Sequence, residues 1–270
     1  MSHDARLEFI AEGLPIVFGS MQGFSDASRG LTDRPREAAV LEGFALEEAA
    51  KVLILMDVVR CPRALVSGHL SKMLGWFYDH LARLIYCEAC EIRSTDVNYL
   101  RDAVEHRRKS HYVEGNVGEY ILPNSLIYRR ESHLYADIEA YDDGEPFWSR
   151  PHVDECLFFR SEQNAIKIVK AMAAVGMFGP NALKIVSDVW NDLAFENTQD
   201  HQDASRMVGE TLERLLKADL VPPGAEQHDA DILVSEWQLP MYALNLQPIL
   251  VSRAELEEEQ TRLLWSEAGY

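Results

Sequence analysis

The sequence predicts an all-α protein, and three observations carry that expectation. Apolar residues recur at the three- and four-residue spacing of a helix face through most of the 270 positions. Proline and glycine, which interrupt helices, gather between those segments. One stretch alone, between Gly115 and Pro151, reads as convincingly non-helical. A hydrophobic content of 47% is ordinary for a packed globule of this length.

In order, the pattern predicts helices near 5–29, 35–60, 66–92, 95–113, 153–176, 180–197, 201–218 and 253–267. Pro35 suits a first helical turn, and Ser94, Thr95 and Asp96 form an N-cap cluster. Gly115, Gly118 and Pro123 close the fourth helix. Beyond them, Leu134–Ile138 and Glu145–Trp148 flank Asp142-Asp143-Gly144, the pattern of a small hairpin or ordered loop. Val221-Pro222-Pro223-Gly224 marks a linker or sharp turn, and an irregular stretch is expected through Pro240 and Pro248. The chain therefore divides into a helical unit over 1–176 and an acidic, mainly helical extension over 177–270 that can pack against it.

The formal net charge is −18, from 26 basic and 44 acidic residues, which argues against a broad grip on a nucleic-acid backbone. Any such contact must be local, and 17 of the 26 Lys/Arg lie in residues 1–150. They concentrate at Arg101, Arg107, Arg108 and Lys109, with Arg129 and Arg130 further on; two solvated helix ends would explain them equally. The sequence has neither a leader pattern nor an uncharged apolar run of 18 residues, so a soluble cytoplasmic chain away from membranes is expected. Four cysteines are too sparse for a disulfide scaffold and fit a reducing compartment. Cys87-x-x-Cys90 stands alone inside a helical pattern, with His80 as the one close additional ligand, so a structural zinc has little support.

Polar residues that interrupt apolar stripes are the candidate functional positions. In the second helix Leu41, Phe44, Ala45, Val52, Leu55 and Met56 form one stripe, and Glu48 projects from its middle. Lys51 can reach Glu48 at i+3 or Glu47 at i+4, either as a register-fixing ion pair or as part of a polar site between helices. In the third, Glu88 falls inside the stripe and His80 lies on its edge, as a hydrogen-bonded boundary residue or an acid–base group. Carboxylates facing a bundle interior raise a metal-bridging alternative, yet the Glu-x-x-His repeat of such sites is missing; no metal or other cofactor is expected. Nucleophile-elbow, phosphate-loop and dinucleotide signatures are also missing.

The fourth helix carries Arg101-Asp102-x-x-x-His106. An arginine can hold a phosphate bidentately while a histidine moves a proton near neutral pH, the two roles needed for RNA cleavage through the 2′-hydroxyl. Asp102 is placed to orient the His106 imidazole. Positions five apart on a regular helix point about 140° away from each other, so a kink or a second subunit is needed to bring both to one phosphate. A solvated helix face is the plain alternative.

Taken together these segments resemble the AbiV abortive-infection branch of the HEPN superfamily. Gly43–Lys51 resembles its A-x-E-E-x-x-K helix and Phe77–Arg83 its F-x-x-H-x-x-K segment, with Arg83 in place of lysine. Arg130–Asp137, followed by Gly144 and Pro151, resembles its R/K-x-x-x-L-Y-V-D stretch, with Ala136 in place of valine. Arg101 and His106 fit the superfamily's R-x(4–6)-H motif. The resemblance covers about residues 5–176. It implies a HEPN-like bundle acting as an antiphage effector, a metal-independent ribonuclease that arrests translation by cutting or binding RNA.

It further implies a homodimer and a phage or regulatory protein as trigger. Arg101, Asp102, His106 and His80 are then the catalytic candidates. Arg107, Arg108, Lys109, Arg130 and His133 are the substrate-binding ones. The competing expectation is a non-catalytic helical interaction module, a sensor or regulator.

Overall fold

A computed structural model describes residues 1–92, 94–109, 112–114, 120–122, 124–139, 145–151 and 162–267. The described residues form an all-α fold. The long helix α1 (His3–Gly30) is capped by Ser2, whose hydroxyl accepts from Ala5 N, and packs along α2 (Pro35–Arg60), which begins on Pro35 as expected. The next predicted helix, 66–92, is instead two: α3 (Val66–Tyr78) and α4 (His80–Glu91). Asp79 between them is extended at ψ 123° and its carboxylate accepts from Ala82 N at 2.8 Å, an N-cap that starts a new helix. The apolar spacing continues across the break and conceals it.

Helix α5 (Val97–Lys109) is capped by Asp96, which accepts from Asn98 N and Tyr99 N at 2.9 and 3.0 Å. Those bonds hold the Asp96 carboxyl below its usual range. The helix ends four residues before the predicted boundary at 113, and β1 (Tyr112–Glu114) pairs antiparallel with β2 (Tyr120–Leu122). Residues expected to be non-helical then form α6 (Ser125–Leu134), because Asn124 at φ 52° turns the chain and caps Ile127 N. The expected hairpin follows as β3 (Asp137–Glu139) against β4 (Phe147–Ser149), with Ile138 opposite Trp148. Of the helix predicted over 153–176, residues 152–161 lie outside the described ones, and α7 (Asn164–Ala174) is the remainder.

The second half continues with α8 (Pro180–Trp190), shorter than the predicted 180–197, and α9 (His201–Lys217), which starts on a reciprocal Asp200–Asp203 capping box. Within the stretch expected to be irregular lies α10 (Gln227–Glu236); α11 (Arg253–Glu267) comes last. No helix among the described residues is long and apolar enough to cross a membrane.

One hydrophobic core runs from Leu7 to Leu246 and takes residues from both sides of position 176. Its centre is α2, which contacts α1, α4, α7 and α8 and is buried on nearly every side. At its C-terminal end Asp57 and Arg60 are fully buried. Arg60 binds Asp57 and the Gln238 carbonyl (2.9 Å), with its guanidinium carbon 4.8 and 4.2 Å from the ring centroids of Trp190 and Trp237. Asp57 also accepts from Tyr86 Oη and Met241 N, each at 2.8 Å. Every strong polar atom of the pair is thereby answered inside the core.

Between α7 and α8 the chain reverses at Gly176, φ +76°, with Met177 N bonding Met172 O at 2.9 Å in a Schellman closure. A Cβ there would stand 2.6 Å from the Leu220 carbonyl oxygen. Both the left-handed conformation and the contact exclude other residues. Gly176→Ala is expected to lower stability by at least about 1 kcal/mol in urea unfolding; an unchanged midpoint would contradict this account of the turn.

Candidate functional site

Helix α2 has no broad solvent face, so a carboxylate in its middle must find partners inside the bundle. That carboxylate is Glu47, 6% exposed, rather than Glu48. Its Oε1 lies 2.7 Å from Arg130 Nε on α6, and its Oε2 2.9 Å from an Arg83 terminal nitrogen and 2.7 Å from His80 Nδ1, both on α4. Arg83 also anchors itself by donating from Nε to the Asp79 carbonyl at 3.2 Å. The break at Asp79 matters here: it puts His80 in the first turn of α4, where its ring is 52% exposed while Arg83 is buried.

The protonation geometry of His80 follows from its neighbours. His80 Nδ1 lies 2.7 Å from Glu47 Oε2, which can only accept, and 2.8 Å from an Arg83 terminal nitrogen, which can only donate, so it donates to Glu47 when it carries the hydrogen and accepts from Arg83 when it does not. With the hydrogen on Nδ1, neutral His80 has its lone pair on Nε2, the nitrogen not turned to Glu47. One carboxylate against two guanidiniums leaves a net positive charge behind the ring. Glu48, 17% exposed, pairs separately with Lys51 at 2.6 Å, and the Lys51 ammonium stands 5.5 Å from the Phe77 ring centroid.

Beside this cluster a cavity of about 140 Å³ opens between α2, α4 and α6. Phe44, Leu84, Leu126 and Leu134 supply apolar wall, and Glu47 and Arg130 close the side toward His80. His133, also on the wall and mostly buried, donates from Nδ1 to the Arg129 carbonyl at 2.6 Å. Glu88, 27% exposed and also on the wall, ties the helices together, 3.1 Å from Arg107 and 3.5 Å from Arg129. Cys87 reaches the same wall, its thiol donating to the Leu46 carbonyl at 3.2 Å. Burial, then the charges of Glu47 and Glu88, push that thiol up and keep it protonated. Cys90 is raised by burial as well, and donates to the Tyr86 carbonyl. Among the described residues no group of three or more His, Cys, Asp or Glu is placed to hold a metal ion.

The candidates on α5 are arranged differently. Arg101 donates to Asn98 Oδ1, the Glu196 carbonyl and Asn197 Oδ1 at 2.8, 2.9 and 3.0 Å, clasping the segment before α9. Asp102 and His106 are exposed, and no bond between them is present among the described residues. Arg107 is turned to Glu88, Arg108 to the Gln247 carbonyl at 2.6 Å, and Lys109 to solvent. The structure thus brings His80 and Arg130 to one carboxylate, sets His133 in the adjoining cavity, and does not bring Arg101 and His106 together.

Glu47 and Arg83 were not among the site residues expected from the sequence. The doubled carboxylate Glu47-Glu48 inside a helix was the available signal, but a helical-wheel argument assumes one buried face and α2 is buried all round. No family model, curated protein or solved structure matches this chain.

Proposed function

We propose that the chain is a metal-independent ribonuclease of HEPN type, an antiphage effector that stops translation by cutting RNA, with its chemistry at Glu47, His80, Arg83 and Arg130. The observation that supports this reading is convergence. The three segments that resemble the AbiV pattern, far apart in sequence, each contribute to one ion-paired cluster around Glu47. His80 Nε2 takes the proton of a ribose 2′-hydroxyl, and the 2′-oxygen forms its bond to phosphorus. The bond to the 5′-oxygen breaks, and that oxygen takes a proton from water. Arg83 and Arg130 hold positive charge where the phosphate gains negative charge, and Glu47 keeps the imidazole in the required tautomer. In this reading a second copy and a phage-derived or regulatory trigger control the activity in the cytoplasm.

A second reading, a non-catalytic interaction module, draws on a specific observation: both guanidiniums of the cluster are already bound to Glu47, as in a purely architectural ion-pair network. Incubating the purified protein with total RNA, with and without chelator, separates the two. Cleavage that survives chelator and leaves 2′,3′-cyclic phosphate ends is the expected result. Intact RNA at every protein concentration, from a folded sample, would leave the interaction module standing.

A further inference from the structure

The cavity between α2, α4 and α6 has a size and a lining that select among ligand classes. A cavity of about 150 Å³ holds one benzene-sized ring, and this one, at about 140 Å³, has room for a single six-membered ring. Its wall combines the apolar side chains Phe44, Leu84, Leu126 and Leu134 with three carboxylates, Glu42, Glu47 and Glu88, and two guanidiniums, Arg129 and Arg130. A hydrocarbon in this space would lie against those charged groups without offering any of them a hydrogen bond. An anion would face three carboxylates, and a cation two guanidiniums that already serve Glu47 and Glu88. The occupant that fits is flat, neutral, and edged with both donors and acceptors.

We infer that the cavity is a nucleobase subsite that takes a pyrimidine, uracil or cytosine. The inference deepens the ribonuclease reading and rests on it for the identity of the polymer. Uracil presents N3–H between two carbonyls, and cytosine an amino group beside N3 and a carbonyl, so each edge offers hydrogens to a carboxylate and acceptors to a guanidinium. Phe44 supplies an aromatic neighbour for a base. Glu47 belongs to both places: it lines the cavity, and its Oε2 is 2.7 Å from His80 Nδ1. A base seated in the cavity therefore lies within a nucleotide's length of the imidazole. The subsite would select which bond is cut by flipping the base next to it out of the RNA stack.

Gly43 gives a direct way to fill the space, since it lines the cavity and a Cβ built on it meets no atom within 4 Å. The test uses the full chain and titrates uridine, cytidine, adenosine, guanosine and toluene against methyl NMR signals of Leu84, Leu126 and Leu134, in wild type, Gly43→Ala and Gly43→Leu. Uridine and cytidine should shift those signals in wild type, bind more weakly in Gly43→Ala, and lose at least about tenfold in affinity in Gly43→Leu, with the melting temperature of either variant not lowered. A site that binds no pyrimidine nucleoside at millimolar concentration, or binds purine nucleosides or toluene as well, would overturn the proposal. So would uridine binding that Gly43→Leu leaves unchanged. Nucleoside binding without RNA cleavage by the same sample would keep the subsite and remove the ribonuclease reading; cleavage without pyrimidine binding would do the reverse.

Discussion

His80→Ala should lower RNA cleavage by about 10²–10⁴-fold, the usual cost of losing a general acid–base group, while His106→Ala should leave the rate close to that of the wild type. The difference follows from how each ring is held. His80 Nδ1 lies 2.7 Å from a buried carboxylate and 2.8 Å from the Arg83 guanidinium, whereas His106 lies exposed on α5 with no bond to Asp102. Because the His80 ring is about half exposed, its removal opens no core cavity, and the melting temperature should move by only a few degrees. His80→Gln, which can still hydrogen-bond Glu47 but cannot shuttle a proton, should be as inactive as the alanine variant. Full cleavage by His80→Ala together with loss in His106→Ala would return the chemistry to α5 and to a site shared between two subunits. Equal activity in all three variants would remove both of these histidines from the chemistry.

Arg60→Ala is expected to be the most damaging single change to the fold, costing about 3–5 kcal/mol, the range seen when one partner of a buried ion pair is deleted. Asp57 would be left at 0% exposure, still bonded to Tyr86 and Met241 but without its counter-ion. The loss also strips the cation from beside Trp190 and Trp237, so tryptophan fluorescence reports the same event that urea titration measures. Replacing both charges together, as Asp57→Leu with Arg60→Met, should recover only part of that loss, since it removes the unmatched charge but takes these partners from Tyr86 Oη, Met241 N and the Gln238 carbonyl. If Arg60→Ala unfolds at the wild-type urea concentration, the pair is not a structural element of the core.

The helical class was legible because it rests on spacing, and spacing survives in α1, α2 and α9 with little distortion. Local chemistry was legible where a side chain acts on its own backbone: Pro35 opens α2, and Asp96 caps α5. What the sequence concealed depends on tertiary surroundings. Asp79 splits a continuous apolar stripe, and only the direction of the chain beyond it reveals the cap. Asn124 starts α6 from a left-handed conformation in a region whose glycines and prolines read as loop. The choice between Glu47 and Glu48 turns on which helices surround α2, information that adjacent identical residues cannot carry. For the Arg101 and His106 motif the structure shows what spacing could not, that Arg101 binds the segment before α9 while His106 is exposed.

The bonds from Arg60 to Gln238 and from Met241 to Asp57 span 178 and 184 residues, and that span sets a timetable. A ribosome adding about 5–20 residues per second needs roughly 10–40 s to travel from one end of such a bond to the other. Until residues 237–241 follow, the Asp57–Arg60 pair lacks its Trp237 cover and its bonds to Gln238 and Met241. The nascent chain therefore cannot finish its core by stages from the front. It has to be kept apart from its neighbours until its final third emerges, and a stalled or shortened transcript would yield a product with its central helix still uncovered.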